Sequence, residues 1–182
     1  IGERTTYALH ASLQRADGCY PFTLKNGRLQ TRERRYNSDV FSWNAEANLY
    51  HTFQDYSRLE VKTYYYDSER GLPGSVILYN PQANERLWDR NGFVQTRYRK
   101  TFSRKWRFQA EGKYNYSWNR YEDTNVKYIG GKQTDLNTQQ EYYLSVVSLY
   151  TPFRQWSFSW SNDGVANTLR NNYPEASQPV RL

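Results

Sequence analysis

The side chains able to do chemistry are few and scattered. His10 and His51 are the two histidines; they fall on different candidate strands without cysteine, histidine or carboxylate companions at ligand spacing, so they do not read as a zinc site. Asp67, Glu69, Glu85 and Asp89 lie in or beside one polar stretch. They carry the oxygen chemistry calcium takes but follow no established loop spacing, and read as solvated charge. Ser75, between Gly74 and Val76, lacks the Gly-x-Ser-x-Gly context of a nucleophile elbow. Asn115-Tyr116-Ser117 matches a glycosylation sequon inside an expected strand. Cys19 is the single cysteine, which excludes an internal disulfide and reads as a free structural thiol. No catalysis, cofactor or metal is expected. What remains are groups suited to binding: Tyr66, Tyr79, Trp88, Tyr121 and Tyr128 offer flat contact area, and Arg70, Arg86, Arg90 and Lys127 offer charge, Tyr and Arg being common anchors.

The elements that would hold these groups must come from an unusual composition. Only 37% of the 182 residues are hydrophobic, and aromatics alone make up 18% of the chain, so an ordinary aliphatic core is poorly supplied. Mean hydropathy is −1.02, and no apolar stretch approaches the roughly 20 residues of a membrane-spanning helix. Disorder fits the polarity but not the aromatic content. The formal charge of +7 favours anionic partners such as lipopolysaccharide. Its basic residues are scattered without a binding stripe or motif, so nucleic acid is not an expected partner. The chain holds no methionine and begins Ile1-Gly2-Glu3 without a signal segment; it reads as a piece of a longer protein.

Periodicity supplies the architecture. Across 41–53 the odd positions Phe41, Trp43, Ala45, Ala47, Leu49 and Phe53 are apolar, with His51 the exception, and the even positions are mostly polar. Across 106–118 the even positions Trp106, Phe108, Ala110, Gly112, Tyr114, Tyr116 and Trp118 alternate without a break with Arg107, Gln109, Glu111, Lys113, Asn115 and Ser117. Trp156, Phe158 and Trp160 repeat the pattern against serines. Period two means strands with one wet face, and the first two runs exceed the usual strand of about 5–6 residues. Aromatics cluster toward strand ends with small residues between them. From Trp106 to Tyr116 is about 33 Å along a strand at about 3.3 Å per residue, or about 25 Å on the membrane normal at a tilt of about 40°. These residues therefore predict two aromatic belts facing lipid: Phe41, Trp43, Phe53, Trp106, Phe108, Tyr114, Tyr116, Trp118, Trp156, Phe158 and Trp160. Gln95, Arg97, Arg99, Arg107, Glu111, Lys113 and Asn115 then face a wet lumen, because Arg or Lys toward lipid costs roughly 2–4 kcal/mol near the midplane.

Seven strands are expected, over 6–15, 40–53, 57–67, 93–102, 105–120, 140–150 and 155–163. Hairpin-sized links at 54–56, 103–104 and 151–154 alternate with long polar connections at 16–39, 68–92 and 121–139. Short turns at one end and long loops at the other describe an all-β, antiparallel up-and-down meander of about seven or eight strands, a fragment of a larger transmembrane barrel. Eight strands alone would leave almost no interior for the bulky lumenal charges. The long loops would carry Tyr66, Arg70, Tyr79, Arg86, Trp88, Arg90, Tyr121 and Tyr128 as the ligand-facing surface. In Arg70-Gly71-Leu72-Pro73-Gly74, both glycines are free to adopt positive φ and Pro73 fixes the turn. The alternative is a soluble β-sandwich that binds ligands or glycans by stacking on its aromatics.

Four segments carry a family resemblance: 62–76 (KTYYYDSERGLPGSV), 85–91 (ERLWDRN), 113–123 (KYNYSWNRYED) and 140–145 (QEYYLS). Together they resemble the barrel of TonB-dependent outer-membrane receptors, with similarity to Bacteroidetes receptors of the vitamin B12 type, over roughly 39–163. The resemblance implies a 22-stranded barrel in the outer membrane of a Gram-negative bacterium, in contact with lipid and lipopolysaccharide. It implies import of a scarce nutrient such as cobalamin or another corrinoid, with a plug domain and TonB supplied through the rest of the parent and a surface lipoprotein as a further partner. The family pattern also includes a plug, a TonB-binding segment and barrel closure, none of which is expected in these residues.

Overall fold

The computed structural model describes residues 4–75, 83–173, 175 and 179–181. Its described residues form strands and turns without a helix. The strands are β1 (Thr5–Ala16), β2 (Pro21–Asn26), β3 (Leu29–Arg34), β4 (Val40–Thr52), β5 (Arg58–Leu72), β6 (Glu85–Ser103), β7 (Trp106–Thr124), β8 (Lys132–Phe153), β9 (Trp156–Asn171) and β10 (Val180–Arg181). Eight make one antiparallel sheet in the order β1-β4-β5-β6-β7-β8-β9-β10, and β2 pairs with β3 as a separate hairpin. Apart from that insertion, every strand pairs with its neighbour in sequence, so the fold is an up-and-down meander.

Register keeps one set of side chains together across the sheet. Leu13 pairs with Trp43, Trp43 with Asp67, Asp67 with Arg90, Arg90 with Trp118, and Trp118 with Thr138. Directly paired residues share a face. Phe41, Trp43, Trp106, Phe108, Tyr114, Tyr116, Trp118, Trp156, Phe158 and Trp160 thus all fall on one side, and Phe53 continues it just past the end of β4. Gln95, Arg97, Arg99, Arg107, Glu111, Lys113 and Asn115 fall on the other side, so the two-face division expected from alternation holds over every strand pair.

The aromatic face is not folded onto a partner layer. Among the described residues no hydrophobic side chain is buried; Leu9 is 75% exposed, Trp156 61% and Leu144 59%. The buried side chains are Ser42, Ser57, Ser68 and Asp123. A β-sandwich buries the inner faces of two sheets against each other, whereas the second sheet here is a hairpin of two six-residue strands. Cohesion comes instead from the ladder hydrogen bonds and from cross-strand pairs.

The strands run past their expected ends. β6 and β7 each have 19 residues and β8 has 22, so the connections shrink to 73–84 and 125–131. The connection 16–39 contains β2 and β3, turned at Gly27 with φ 61°. Pairing continues through polar sequence because opposite charges meet across the strands, each such pair contributing about 0.2–1 kcal/mol. Arg70 Nη2 lies 2.9 Å from Asp89 Oδ2, Arg86 Nη2 2.8 Å from Glu69 Oε1, and Arg90 Nε 2.9 Å from Asp67 Oδ2. The opposite end has short turns. Between β4 and β5, Asp55 Oδ1 accepts hydrogen bonds from Ser57 N at 3.1 Å and Ser57 Oγ at 2.6 Å, while Tyr56 sits at φ 62°. Lys100 Nζ lies 2.8 Å from Asp55, and it is the first of the groups holding that carboxyl well below its usual range.

Candidate functional site

The aromatic face is organised in bands. Near the short turns, Phe102 stacks on Trp106 with centroids 4.2 Å apart, Phe53 meets Tyr98 at 6.5 Å and Trp156 meets Phe158 at 6.3 Å. Trp106 Nε1 donates to Ser148 Oγ at 3.0 Å. Toward the other end, Trp43 meets Tyr65 at 5.2 Å and Tyr114 meets Tyr142 at 4.9 Å. Between the bands lie Ala45, Ala47, Thr63, Val94, Thr96, Ala110, Gly112, Leu144 and Val146, all without charge. Where Ala45, Ala47, Thr63 and Val94 sit beside Tyr65, Tyr114 and Tyr116, they leave a shallow apolar groove of about 660 Å³. Gly92 helps form it: a Cβ there would meet the Tyr65 ring at 3.3 Å.

Charge returns abruptly at both margins. On β6 the uncharged interval of this face runs from Gly92 to Tyr98, bounded by Arg90 and Lys100. At the far margin Arg90 pairs with Asp67 and lies 4.8 Å from the Trp118 ring centroid. One step beyond, Arg120 lies 4.9 Å from the Trp88 ring centroid and pairs with Glu122. Farther out, Arg86 reaches Asp39 Oδ2 and Glu69 Oε1, each at 2.8 Å. The Arg86 hydrogen bonds hold the Asp39 carboxyl below the ordinary carboxylate range, against a smaller opposing effect of burial. At the near margin Lys100 Nζ sits 5.0 Å from the Phe102 ring centroid, and Lys105 Nζ 5.9 Å from that of Phe153.

The polar face is a continuous hydrogen-bonded surface. Arg97 Nε lies 2.7 Å from Glu111 Oε1, to which Gln109 Nε2 also donates at 2.6 Å. Arg97 and Arg99 both contact Glu60. Lys62 Nζ lies 3.3 Å from Glu46, Asn115 Nδ2 donates to Glu141 at 2.8 Å, and Tyr143 OH donates to Asp163 at 2.9 Å. Aromatic rings also stack within this surface: Tyr64 stacks on Phe93 at 5.7 Å, and Lys113 Nζ lies 5.2 Å from the Phe93 centroid. Sequence reasoning missed Tyr64 and Phe93, which fall out of phase with any apolar run, and missed Arg58 and Glu60, whose strand shows weak alternation. Glu60 had a findable signal: at even spacing with Lys62, it belongs with the polar positions of β5.

The expected loop-borne binding set requires correction. Tyr66, Arg70, Arg86, Trp88, Arg90 and Tyr121 lie within β5, β6 and β7, because cross-strand ion pairs extend the sheet through what composition alone marked as loops. They also divide between faces. By register Tyr66, Arg70 and Tyr121 share the polar face, whereas Arg86, Trp88 and Arg90 point to the aromatic side and cannot converge with them. Tyr128 lies in the 125–131 turn, where its hydroxyl donates to Asp123 Oδ2 at 2.7 Å and its ring lies 4.6 Å from Lys127 Nζ. Tyr79 falls outside the described residues. Among the carboxylates with calcium-like chemistry, Asp67, Glu69 and Asp89 are each taken up by an arginine. His51 Nδ1 lies 2.8 Å from Thr5 Oγ1, with Phe53 edge-on at 4.5 Å.

The segment Arg70-Gly71-Leu72-Pro73-Gly74 is shaped differently from expectation. Gly74 has φ 60°, but Gly71 does not adopt positive φ. Gly71 is required for space instead, since a Cβ would come within 2.5 Å of Asn37 Oδ1. Asn37 Nδ2 donates to the carbonyls of Leu72 at 3.0 Å and Glu85 at 2.8 Å, fastening the ends of β5 and β6. Arg35 Nη2 donates to the Gly74 carbonyl at 2.7 Å. No protein-family model matches the sequence, and no curated protein matches it.

Proposed function

We propose that this chain is a segment of a transmembrane β-barrel in the outer membrane of a Gram-negative bacterium, of the TonB-dependent receptor type, that binds and imports a scarce nutrient. The observation that carries the reading is the uncovered aromatic face: uncharged through its middle, banded by aromatic rings, and bounded by ion pairs and cation–π contacts at both margins. The ten residue steps from Arg90 to Lys100 correspond to about 33 Å along the strand and about 25 Å on the normal of a tilted barrel, the height of an outer-membrane apolar band. In water such a face needs a covering layer. Lipid supplies one at little cost in unpaired backbone across the middle of the sheet, because strands β4 to β8 each have a hydrogen-bonded neighbour on both sides.

The polar face becomes the lumen, and Tyr66, Arg70, Tyr121 and Tyr128 remain the ligand-facing candidates near its outer mouth. Arg86, Trp88 and Arg90 become headgroup-level contacts. The parent supplies the plug and the TonB-binding segment, and corrinoids are the first ligand class to test. The placement is tested with the intact parent reconstituted in brominated phospholipid. Trp106 and Trp156 should be quenched, with Trp118 quenched most when the bromines lie near the headgroups. Unquenched tryptophans would refute the barrel, while quenching without corrinoid binding would retire only the ligand class.

A further inference from the structure

The polar face carries a basic cluster at its short-turn end that its own carboxylates do not neutralise. Arg58 on β5 is paired directly with Arg99 on β6, and Arg99 directly with Gln109 on β7, one diagonal step from Arg107. Directly opposed side chains have Cβ atoms about 4.5–5.5 Å apart, and like charges so placed destabilise a sheet. Arg97 belongs to the same patch. Two carboxylates serve these four guanidiniums: Glu111 is engaged by Arg97, and Glu60 by Arg97 and Arg99. Among the described residues no carboxylate lies within ion-pair distance of Arg58 or Arg107. The three arginines Arg58, Arg99 and Arg107 line one cleft of about 490 Å³, with Thr101 and Gln109 beside them and Val147 and Leu149 contributing apolar surface.

We infer that this cleft is a binding site for a small organic polyanion bearing at least two oxyanion groups, phosphate or carboxylate. Guanidinium forks match both oxyanions bidentately and form the stronger class of hydrogen bond. The cleft volume lies within the range of small-molecule sites, about 300–1,000 Å³, and the aliphatic pair supplies contact for a carbon skeleton. Occupancy would also remove the Arg58–Arg99 repulsion, so part of the binding free energy is already stored in the unliganded sheet. The site rests on strand register and charge. It uses the barrel reading only to place the cleft in the lumen near the inner mouth, so failure in bilayer placement leaves it standing.

The test is calorimetric titration of the intact protein in neutral detergent, at low salt and at physiological salt, with pyrophosphate, citrate and a hexaglutamate peptide as probes. Pyrophosphate or citrate should bind one site and survive physiological salt. Arg58→Gln and Arg107→Gln should each weaken binding by about tenfold or more, and Arg58→Lys should recover only part, since a point charge lacks the fork. Arg28→Gln, in the β2–β3 turn, should bind as wild type. The Arg58→Gln protein without ligand should melt no lower than wild type, because it loses a repulsion, yet should lose the upward shift of Tm that pyrophosphate gives the parent. Equal binding by wild type and the Arg58→Gln/Arg107→Gln double variant would overturn the site. Binding of hexaglutamate alone would overturn the small-solute reading in favour of an acidic polypeptide.

Discussion

Gly71 and Asp39 meet at the same corner of the sheet, where the chain packs closely against Asn37. The Gly71 amide donates to the Asp39 carbonyl at 2.9 Å, and the side chain and backbone carbonyl of Asn37 occupy the space a Cβ would need. Gly71→Ala should therefore force Asn37 off the Leu72 and Glu85 carbonyls, at about 1–3 kcal/mol of the kind paid for overpacking, read as a lower unfolding midpoint together with faster exchange of the amides at the end of β5. A comparable drop from Gly164→Ala, at a site with open space around it and no positive φ, would show that the effect is general. The Asp39 carboxylate adds a pH dependence. Its folded pKa lies below the unfolded value of about 3.9, so its contribution is complete above that value and is lost as pH falls through the lower, folded one. Protection of the Gly71 amide, corrected for intrinsic exchange, should be level from neutrality to about pH 5 and fall below about pH 4, and Asp39→Asn should flatten the profile. From sequence, the glycine-proline-glycine spacing marked a shaped loop, which holds for Pro73 and Gly74 but not for Arg70, Gly71 and Leu72, which lie in β5. It could not reveal that Gly71 yields to Asn37, backbone and side chain alike, from more than thirty residues upstream, because local spacing carries no information about a distant close approach.

At the scale of the strand, alternation was legible wherever one face is aromatic and the other polar. β4 and β7 could be read almost residue by residue for that reason. β5, the first part of β6 and the first part of β8 could not, since their aromatic-side positions include Asp67, Glu69, Arg86, Arg90 and Lys132, which erase the apolar half of the pattern. Only register shows that such charges meet partners, and register is a property of two strands. The face assignment itself makes a sharp prediction on β7. Ala110→Arg, between the aromatic bands, should cost about 2–4 kcal/mol in reversible urea unfolding from outer-membrane-like lipid, whereas Gln109→Arg on the opposite face should cost under about 1 kcal/mol. Equal costs would mean that the two faces see the same medium. The same experiment in a water-soluble fold would reverse nothing, because neither side chain is buried against protein.

At the scale of the whole molecule, the sheet formed by the described residues is open. β1 offers an unpaired edge of twelve residues, and β10 covers only two residues of β9. Unsatisfied edges recruit further strands; the chain alone, refolded in detergent, should therefore run as dimers and higher oligomers by light scattering, and joining it to flanking strands should return it to one copy per particle. A monodisperse monomer would indicate closure by some other route. The uncharged span of β6 has a further consequence for where such a protein could reside. Arg90 and Lys100 act as two fixed marks on a ruler, each tethered sideways, to Asp67 with Trp118 and to Asp55 with Phe102. Neither mark can slide along its strand to follow the solvent. On the proposed barrel reading, a bilayer with a hydrocarbon slab thicker than about 25 Å would have to thin around the barrel or strip water from a held charge, at a fraction of a kcal/mol per Å of mismatch. In the proposed barrel, that penalty multiplied around the full circumference would sort the protein toward thin membranes and let it dimple thicker ones.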